Sequence, residues 1–226
     1  MMRCPPHPAR NCKENDMRRT KADAAETRKK ILSAAERVFY KKGVSGTTLD
    51  EVASEAGVTR GAIYWHFANK TDLFLALYDA VPLPQEDMIA REIETEAFDT
   101  LAIVETATGE WLETLAMDEQ RQRILAIMLR CDYDSEMAAV LDRKKEMEER
   151  HTAMLELAFS RALERGQLRE NWTPAAAVRA LRWMVIGLFT EWLLFGRRFD
   201  LAAEGRDALR RLFESFRQTL SAQSAA

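Results

Sequence analysis

Residues 48–67 read Thr48-Leu-Asp-Glu-Val-Ala-Ser-Glu-Ala-Gly57-Val-Thr-Arg-Gly-Ala-Ile-Tyr-Trp-His-Phe67. The stretch predicts two short helices joined by a tight turn. Thr48 and Glu51 have the spacing of a capping box, in which the threonine hydroxyl takes an orphan amide and the glutamate reaches back. Leu49, Val52, Ala53 and Ala56 form one apolar face behind that cap. Gly57 ends the helix because glycine takes a positive φ without steric cost. Val58 fills the turn, and Thr59 is placed to cap a third helix through about Phe67. This is what a helix-turn-helix requires: a small residue where the helices cross (Ala53), a glycine at the turn, and an apolar wedge (Val58 and Ile63) that sets the angle.

The second of these helices has a readable outer face. Ile63 and Phe67 are four apart and must share the inward side, so Arg60, Gly61, Tyr64 and Trp65 face outward. An arginine there has two donors for a guanine edge, and a glycine lets backbone approach closely. Tyr64, Trp65 and His66 carry donors suited to phosphates, although His66 also reads as a structural residue. Lys70 and the amides opening a fourth helix near Asn69 make a candidate anion site. The hydroxyls of Thr48 and Thr59 are of the right size to donate to phosphate, and capping alone accounts for them equally well.

Working outward, nearly every periodic stretch has helical spacing, and no hairpin signal or strand-like alternation is present, so the fold class is all-α. Residues 1–22 read as a flexible N-terminal tail, disordered over 1–16, with Met17 a candidate initiator. A first helix runs from about Asp23 to Lys42 with Ile31, Ala34, Ala35, Val38 and Phe39 on one face, closed by Gly43. Pro82 and Pro84 break the pattern after Val81 and mark a boundary. The expected organisation is therefore a tail (1–22), a helix-turn-helix domain (23–81) and a C-terminal domain (82–226). Helices are expected over 86–116, 119–131, 135–165, 174–195 and 204–221, and no internal repeat is evident.

Charge is unevenly spread. Residues 1–72 hold 14 Lys and Arg against 9 Asp and Glu, a net of +5, and the remainder holds 19 against 27, a net of −8. A basic end on an acidic body suits an end that meets a polyanion. Cys4, Cys12 and Cys131 lack redox or metal-ligand spacing, so no disulfide framework, metal site or cofactor is expected, and a reducing cytoplasm fits. Residues 1–16 contain no apolar run of the secretory kind. The longest apolar stretch, Trp183 to Phe195, is too short to span a bilayer and contains Glu191, so no membrane partner is expected. No nucleophile elbow, phosphate loop or His–carboxylate register points to an enzyme.

A reading head of this size works as a pair on a palindrome. The two last helices supply an expected homodimer interface, because Trp183–Phe195 is strongly apolar and Leu209, Leu212, Phe213, Phe216 and Leu220 form a stripe. Packing within one chain is the alternative. Glu191 is expected to pair with Arg197 or Arg198 or to receive a cationic ligand, and Asp142–Arg150 to be a solvated face with local pairs. His151 reads as a polar core contact. Met88, Phe98, Trp111, Met117, Met128, Met137, Met147, Met154 and Phe159 enrich the body in adaptable side chains, which serve either as core or as a pocket lining.

The runs Thr27-Arg-Lys-Lys-Ile-Leu32, Ala34-Ala-Glu-Arg-Val-Phe39, Gly43-Val-Ser-Gly-Thr-Thr48, Val52–Phe67 and Asn69-Lys-Thr-Asp-Leu-Phe74 closely resemble the DNA-binding domain of the TetR family. Gly-Ala-Ile-Tyr-Trp-His-Phe67 is similar to the multidrug-efflux repressors of the AcrR and TtgR type. The resemblance implies a ligand-responsive repressor of an efflux operon that binds a palindromic operator as a homodimer. Arg60, Gly61 and Tyr64 would approach base edges, and Thr48, Thr59, His66 and Lys70 would hold the backbone. It also favours a small-molecule pocket between helices five to eight, lined by some of Trp111, Ile127, Met128, Cys131, Met154, Val185, Ile186 and Phe189. Control of a metabolic operon, DNA bending without ligand response, and an enzyme with an incidental helix-turn-helix are the other readings.

Overall fold

A computed structural model describes residues 11–79, 99–133 and 135–218. Among them nine α-helices form: α1 (Asn11–Lys42), α2 (Leu49–Ala56), α3 (Arg60–His66), α4 (Lys70–Asp79), α5 (Thr100–Met117), α6 (Glu119–Arg130), α7 (Ala138–Glu164), α8 (Pro174–Leu194) and α9 (Leu201–Phe216). The described residues contain no strand, only an isolated bridge between Leu168 and Arg217. The chain divides into two compact units, Met1–Asp79 and Ala80–Ala226.

In the first unit α1 supplies the floor. Ile31, Ala34, Ala35 and Phe39 are buried, and the Phe39 ring meets Phe74 of α4 with centroids 5.9 Å apart. Ile63, Phe67, Val52, Ala53, Leu73 and Leu77 complete the same core. Two ion pairs tie α1 to α2, Arg37 to Glu55 at 2.9 Å and Lys42 to Glu51 at 2.5 Å. α1 begins at Asn11, so residues 11–22, expected as tail, continue the helix. Helical spacing was absent there because the stretch has no apolar face to reveal it.

The second unit is a helical body. Asp99 is extended (φ −123°) and caps α5 by accepting the Ala102 amide, so α5 begins at Thr100, and the part of the expected 86–116 helix before Asp99 lies outside the described residues. The boundary at Pro82 and Pro84, with Met88 and Phe98, lies outside the described residues. Asp118 ends α5 and caps α6. Thr173 caps α8 with Pro174 in its first turn, as its sequence predicts. α9 packs closely on α5: a Cβ at Gly205 would stand 2.7 Å from Leu112 Cδ1, so a larger residue there requires the Leu112 side chain to shift.

The apolar stripe of α9 is spent inside the chain. Leu209, Phe213 and Phe216 are buried with Phe159 of α7. Phe216 meets Phe159 edge-on at 5.4 Å and Trp172 at 4.9 Å, and the Trp172 indole donates to the Ser215 carbonyl. Leu212 of the same stripe is only half-buried, so part of the face expected to meet a partner is used within the chain: helical spacing shows that a face is buried, not which surface covers it. The helix also ends at Phe216, and Leu220 lies outside the described residues. Phe213→Ala removes a fully buried ring, and we expect it to destabilise the isolated protein by about 3–5 kcal/mol. Urea unfolding monitored by circular dichroism measures this, and a near-neutral effect would contradict the core assignment.

Candidate nucleic-acid interface

The helix-turn-helix closes as its residues dictate. Thr48 Oγ1 accepts the Glu51 amide at 3.3 Å, and Glu51 Oε2 accepts the Thr48 amide at 2.9 Å and its hydroxyl at 3.2 Å. Gly57 is left-handed (φ 66°, ψ 30°), and the Val58 amide returns to the Ala53 carbonyl at 3.0 Å. Thr59 Oγ1 accepts the Ala62 amide at 3.2 Å. Both threonines therefore cap helices, and the Thr48 hydroxyl proton is already engaged by Glu51.

The rotation of α3 follows from its two inward anchors. Ile63 and Phe67 are buried, whereas Gly61, Tyr64 and Trp65 are exposed and the Arg60 side chain is 73% exposed. The outward set thus coincides with the expected one. Two contacts within it were not legible in the sequence. Arg60 Nη1 pairs with Asp50 Oδ2 of α2 at 3.1 Å, and its guanidinium lies over the Tyr64 ring at 5.5 Å. His66 is half-buried, with its ring 4.5 Å from Trp65 in an edge arrangement. Burial first, and the Arg28 charge second, hold the His66 pKa below its ordinary 6.5, so the ring is neutral near pH 7. Arg28 of α1 lies over the Phe67 ring at 5.2 Å and adds a cation beside the end of α3. The basic run 28–30 was visible in the sequence, but not which of its members faces α3.

At the start of α4 the expected anion site is partly occupied by the chain itself. Asn69 Oδ1 accepts the Asp72 amide at 2.8 Å, and Asp72 Oδ2 accepts the Ala68 amide at 3.0 Å. Lys70 is half-buried beside them.

In the body, Trp111 and Phe189 come together edge-on at 5.5 Å. Trp111, Met154, Val185 and Phe189 are half-buried and pack on the core, Ile127 is buried, and Met128 and Cys131 are half-buried. Ile186 instead points outward. Met117 is 85% exposed and lies outside the core. It borders an open groove with Glu113, Thr114, Asp118 and Glu119, none of them among the expected lining. Next to Phe189, Thr190 Oγ1 is buried without a hydrogen-bond partner, a polar atom that periodicity had hidden. Glu191 is exposed at the helix edge, and Arg197 lies over the Trp192 ring at 5.3 Å rather than beside it. In the 142–150 run Lys145 pairs with Asp142 and Arg143 with Glu146 along the helix, but Glu148 pairs across to Arg182 of α8, which also donates to Thr152. His151 is half-buried. No cluster of three metal-binding side chains occurs among the described residues, and no described helix is long and apolar enough to cross a membrane.

A capped helix-turn-helix with a polar outer face, carried on a separate helical body, defines a DNA-binding regulator. Residues 31–77 match the bacterial regulatory proteins of the tetR family, and residues 99–218 match the C-terminal region of MAATS-type transcriptional repressors. The chain belongs to the TetR family of transcriptional regulators. It is 41% identical over 202 residues to the HTH-type transcriptional repressor BepR of Brucella suis biovar 1, covering 89% of this chain and 97% of that protein. The crystal structure of NalD, the secondary repressor of the MexAB-OprM multidrug efflux pump in Pseudomonas aeruginosa, superposes with a TM-score of 0.79 at 35% identity, covering 87% of this chain and 98% of that one. The SmeT–triclosan complex gives 0.77 at 30% identity, covering 85% and 92%.

The cap of α2 has a pH signature. Hydrogen bonds from Lys42 and then from the Thr48 amide lower the Glu51 pKa from 4.5 to about 2. A carboxylate lowered on folding contributes stability that is full above 4.5 and is lost as pH falls towards about 2. The stability difference between wild type and Glu51→Gln is expected to shrink across that window in pH-resolved thermal unfolding. A difference independent of pH would contradict the capping box.

Proposed function

We propose that this protein represses an efflux-pump operon by binding a palindromic operator as a homodimer, and that a small lipophilic or aromatic molecule releases it. The observation that carries the reading is the outward face of α3. Arg60, Gly61, Tyr64 and Trp65 stand exposed on a helix anchored by Ile63 and Phe67. In this reading residues 23–81 bind DNA and 82–226 hold the effector and dimerise. Arg60, Gly61 and Tyr64 meet base edges, and Thr48, Thr59, Trp65, His66 and Lys70 meet the backbone. A neutral His66 donates without adding charge.

The efflux assignment is supported by the likeness to NalD, named as a repressor of a multidrug efflux pump, and the effector class by SmeT, named in complex with triclosan. Trp111 and Phe189 with Met154, Val185 and the unpaired Thr190 hydroxyl supply the aromatic, adaptable and polar groups such a ligand needs. Release is a population shift. The effector binds more tightly to a dimer whose two reading helices no longer fit successive major grooves. The protein works as a regulator and not as an enzyme, in the cytoplasm, where DNA is held.

The dimer surface of this reading lies on the last two helices, α8 and α9, and α8 offers its exposed apolar side. Trp183, Ile186 and Leu194 recur along one side of α8 and are exposed, Trp183 by 70%. Trp183→Glu is expected to give a monomer in analytical ultracentrifugation, and an unchanged dimer would remove α8 from the interface.

Tyr64→Ala is expected to keep the fold and the dimer yet weaken operator binding at least about tenfold, in line with the loss of a base contact in each half-site. Fluorescence anisotropy on the DNA upstream of its own gene, against a scrambled duplex, measures this, and triclosan added to the wild-type complex tests release. Unchanged affinity would overturn the reading face, and selective binding that triclosan and related aromatics leave intact would overturn the effector.

A further inference from the structure

Asp50 is out of place on a surface that meets a polyanion. It lies in the first turn of α2, where the helix dipole tolerates an acid, but the face it shares with Arg60 is the one assigned to DNA. A carboxylate there repels phosphate unless something neutralises it. The neutralising group is Arg60, at 3.1 Å, with side-chain exposures of 73% for Arg60 and 50% for Asp50. An ion pair this exposed adds little to stability, so its consequence lies in what Arg60 can do.

Two partners hold the guanidinium, Asp50 at Nη1 and the Tyr64 ring at 5.5 Å. Pairing at Nη1 leaves the Nε and Nη2 edge to form the two-donor fork that matches the O6 and N7 acceptors of guanine. Holding the side chain in advance lowers the rotamer entropy lost on docking. The paired carboxylate also cancels most of the pull that an exposed arginine exerts on any phosphate.

We propose that Asp50 is a specificity-determining positioning residue: by pairing with Arg60 it suppresses indiscriminate backbone binding and presents the arginine to a guanine in each half-site. This rests on the assignment of α3 as the reading helix. Its effect appears in the ratio of specific to non-specific affinity, which a purely structural staple between α2 and α3 would leave unchanged.

The test starts from a pool of random duplexes enriched by the full-length wild-type protein. Affinities for the enriched sequence and for a scrambled duplex are then measured across a salt series for wild type, Asp50→Asn, Arg60→Ala and the double variant, with circular dichroism melting of each. Asp50→Asn is expected to tighten scrambled-duplex binding about three- to tenfold at low salt and to steepen its salt slope by about 0.9 per subunit. The specific-to-scrambled ratio should fall at least about tenfold, the size of a lost base contact. In the Arg60→Ala background Asp50→Asn should not change the ratio further. Arg60→Lys, which keeps the charge but not the planar fork, should lower the ratio while leaving the salt slope as it is. The proposal is overturned if Asp50→Asn leaves the ratio unchanged or raises it, the latter meaning that the carboxylate merely competes with guanine. It is also overturned if the ratio falls equally with Arg60 absent. A wild-type protein that enriches no sequence would instead remove the reading-helix assignment on which the pair depends.

Discussion

The rotation of α3 about its own axis is the constraint on which the rest of the reading surface depends. Seven residues make less than two turns, too few to hold a helix in isolation. Tertiary contact must hold it, and it does so through Ile63 and the capping residue Phe67, both buried, with Arg28 of α1 over the Phe67 ring. With those two anchored, geometry leaves Arg60, Gly61, Tyr64 and Trp65 outward. The Gly57 turn and the Thr48 and Thr59 caps then set where α3 begins, and the pairs from α2 to Lys42 and Arg37 fasten the motif to α1.

The same economy appears in the body, where apolar area is divided between the core and the surface. α9 gives Phe213 and Phe216 to the core with Phe159 and Trp172, and Gly205 faces Leu112 of α5. α8 divides its faces: Ala177, Val178 and Leu181 are buried, while Trp183, Ile186 and Leu194 are left at the surface. Half-buried side chains between these extremes, Trp111, Met154, Val185 and Phe189, pack on the core without being sealed into it. That intermediate state suits a group that exchanges a packing contact for a ligand contact.

The outward-facing side chains of α3 were legible from residues 48–67 because each rested on a local rule. A capping box acts over three residues, a left-handed glycine over one turn, and an i, i+4 pair over one helical repeat. The helices of the body were legible for the same reason, with Thr173 capping α8 ahead of Pro174. The cap at Asp99 was not, since an aspartate cap in a stretch of mixed polarity looks like one more helical residue. Asp50 and Thr190 were equally silent. The first matters through a contact to the next helix, and the second through the lack of one.

The all-α class, the helix-turn-helix, its outward residues and the family could all be read from the residues alone, because they follow from short-range periodicity and steric rules written into neighbouring residues. What only the tertiary structure decided is which apolar faces the chain covers itself, which carboxylate holds Arg60, and which polar atoms are left unpaired. Those depend on distances between elements far apart in the chain, and hydrophobic spacing records that a face is buried without recording what buries it.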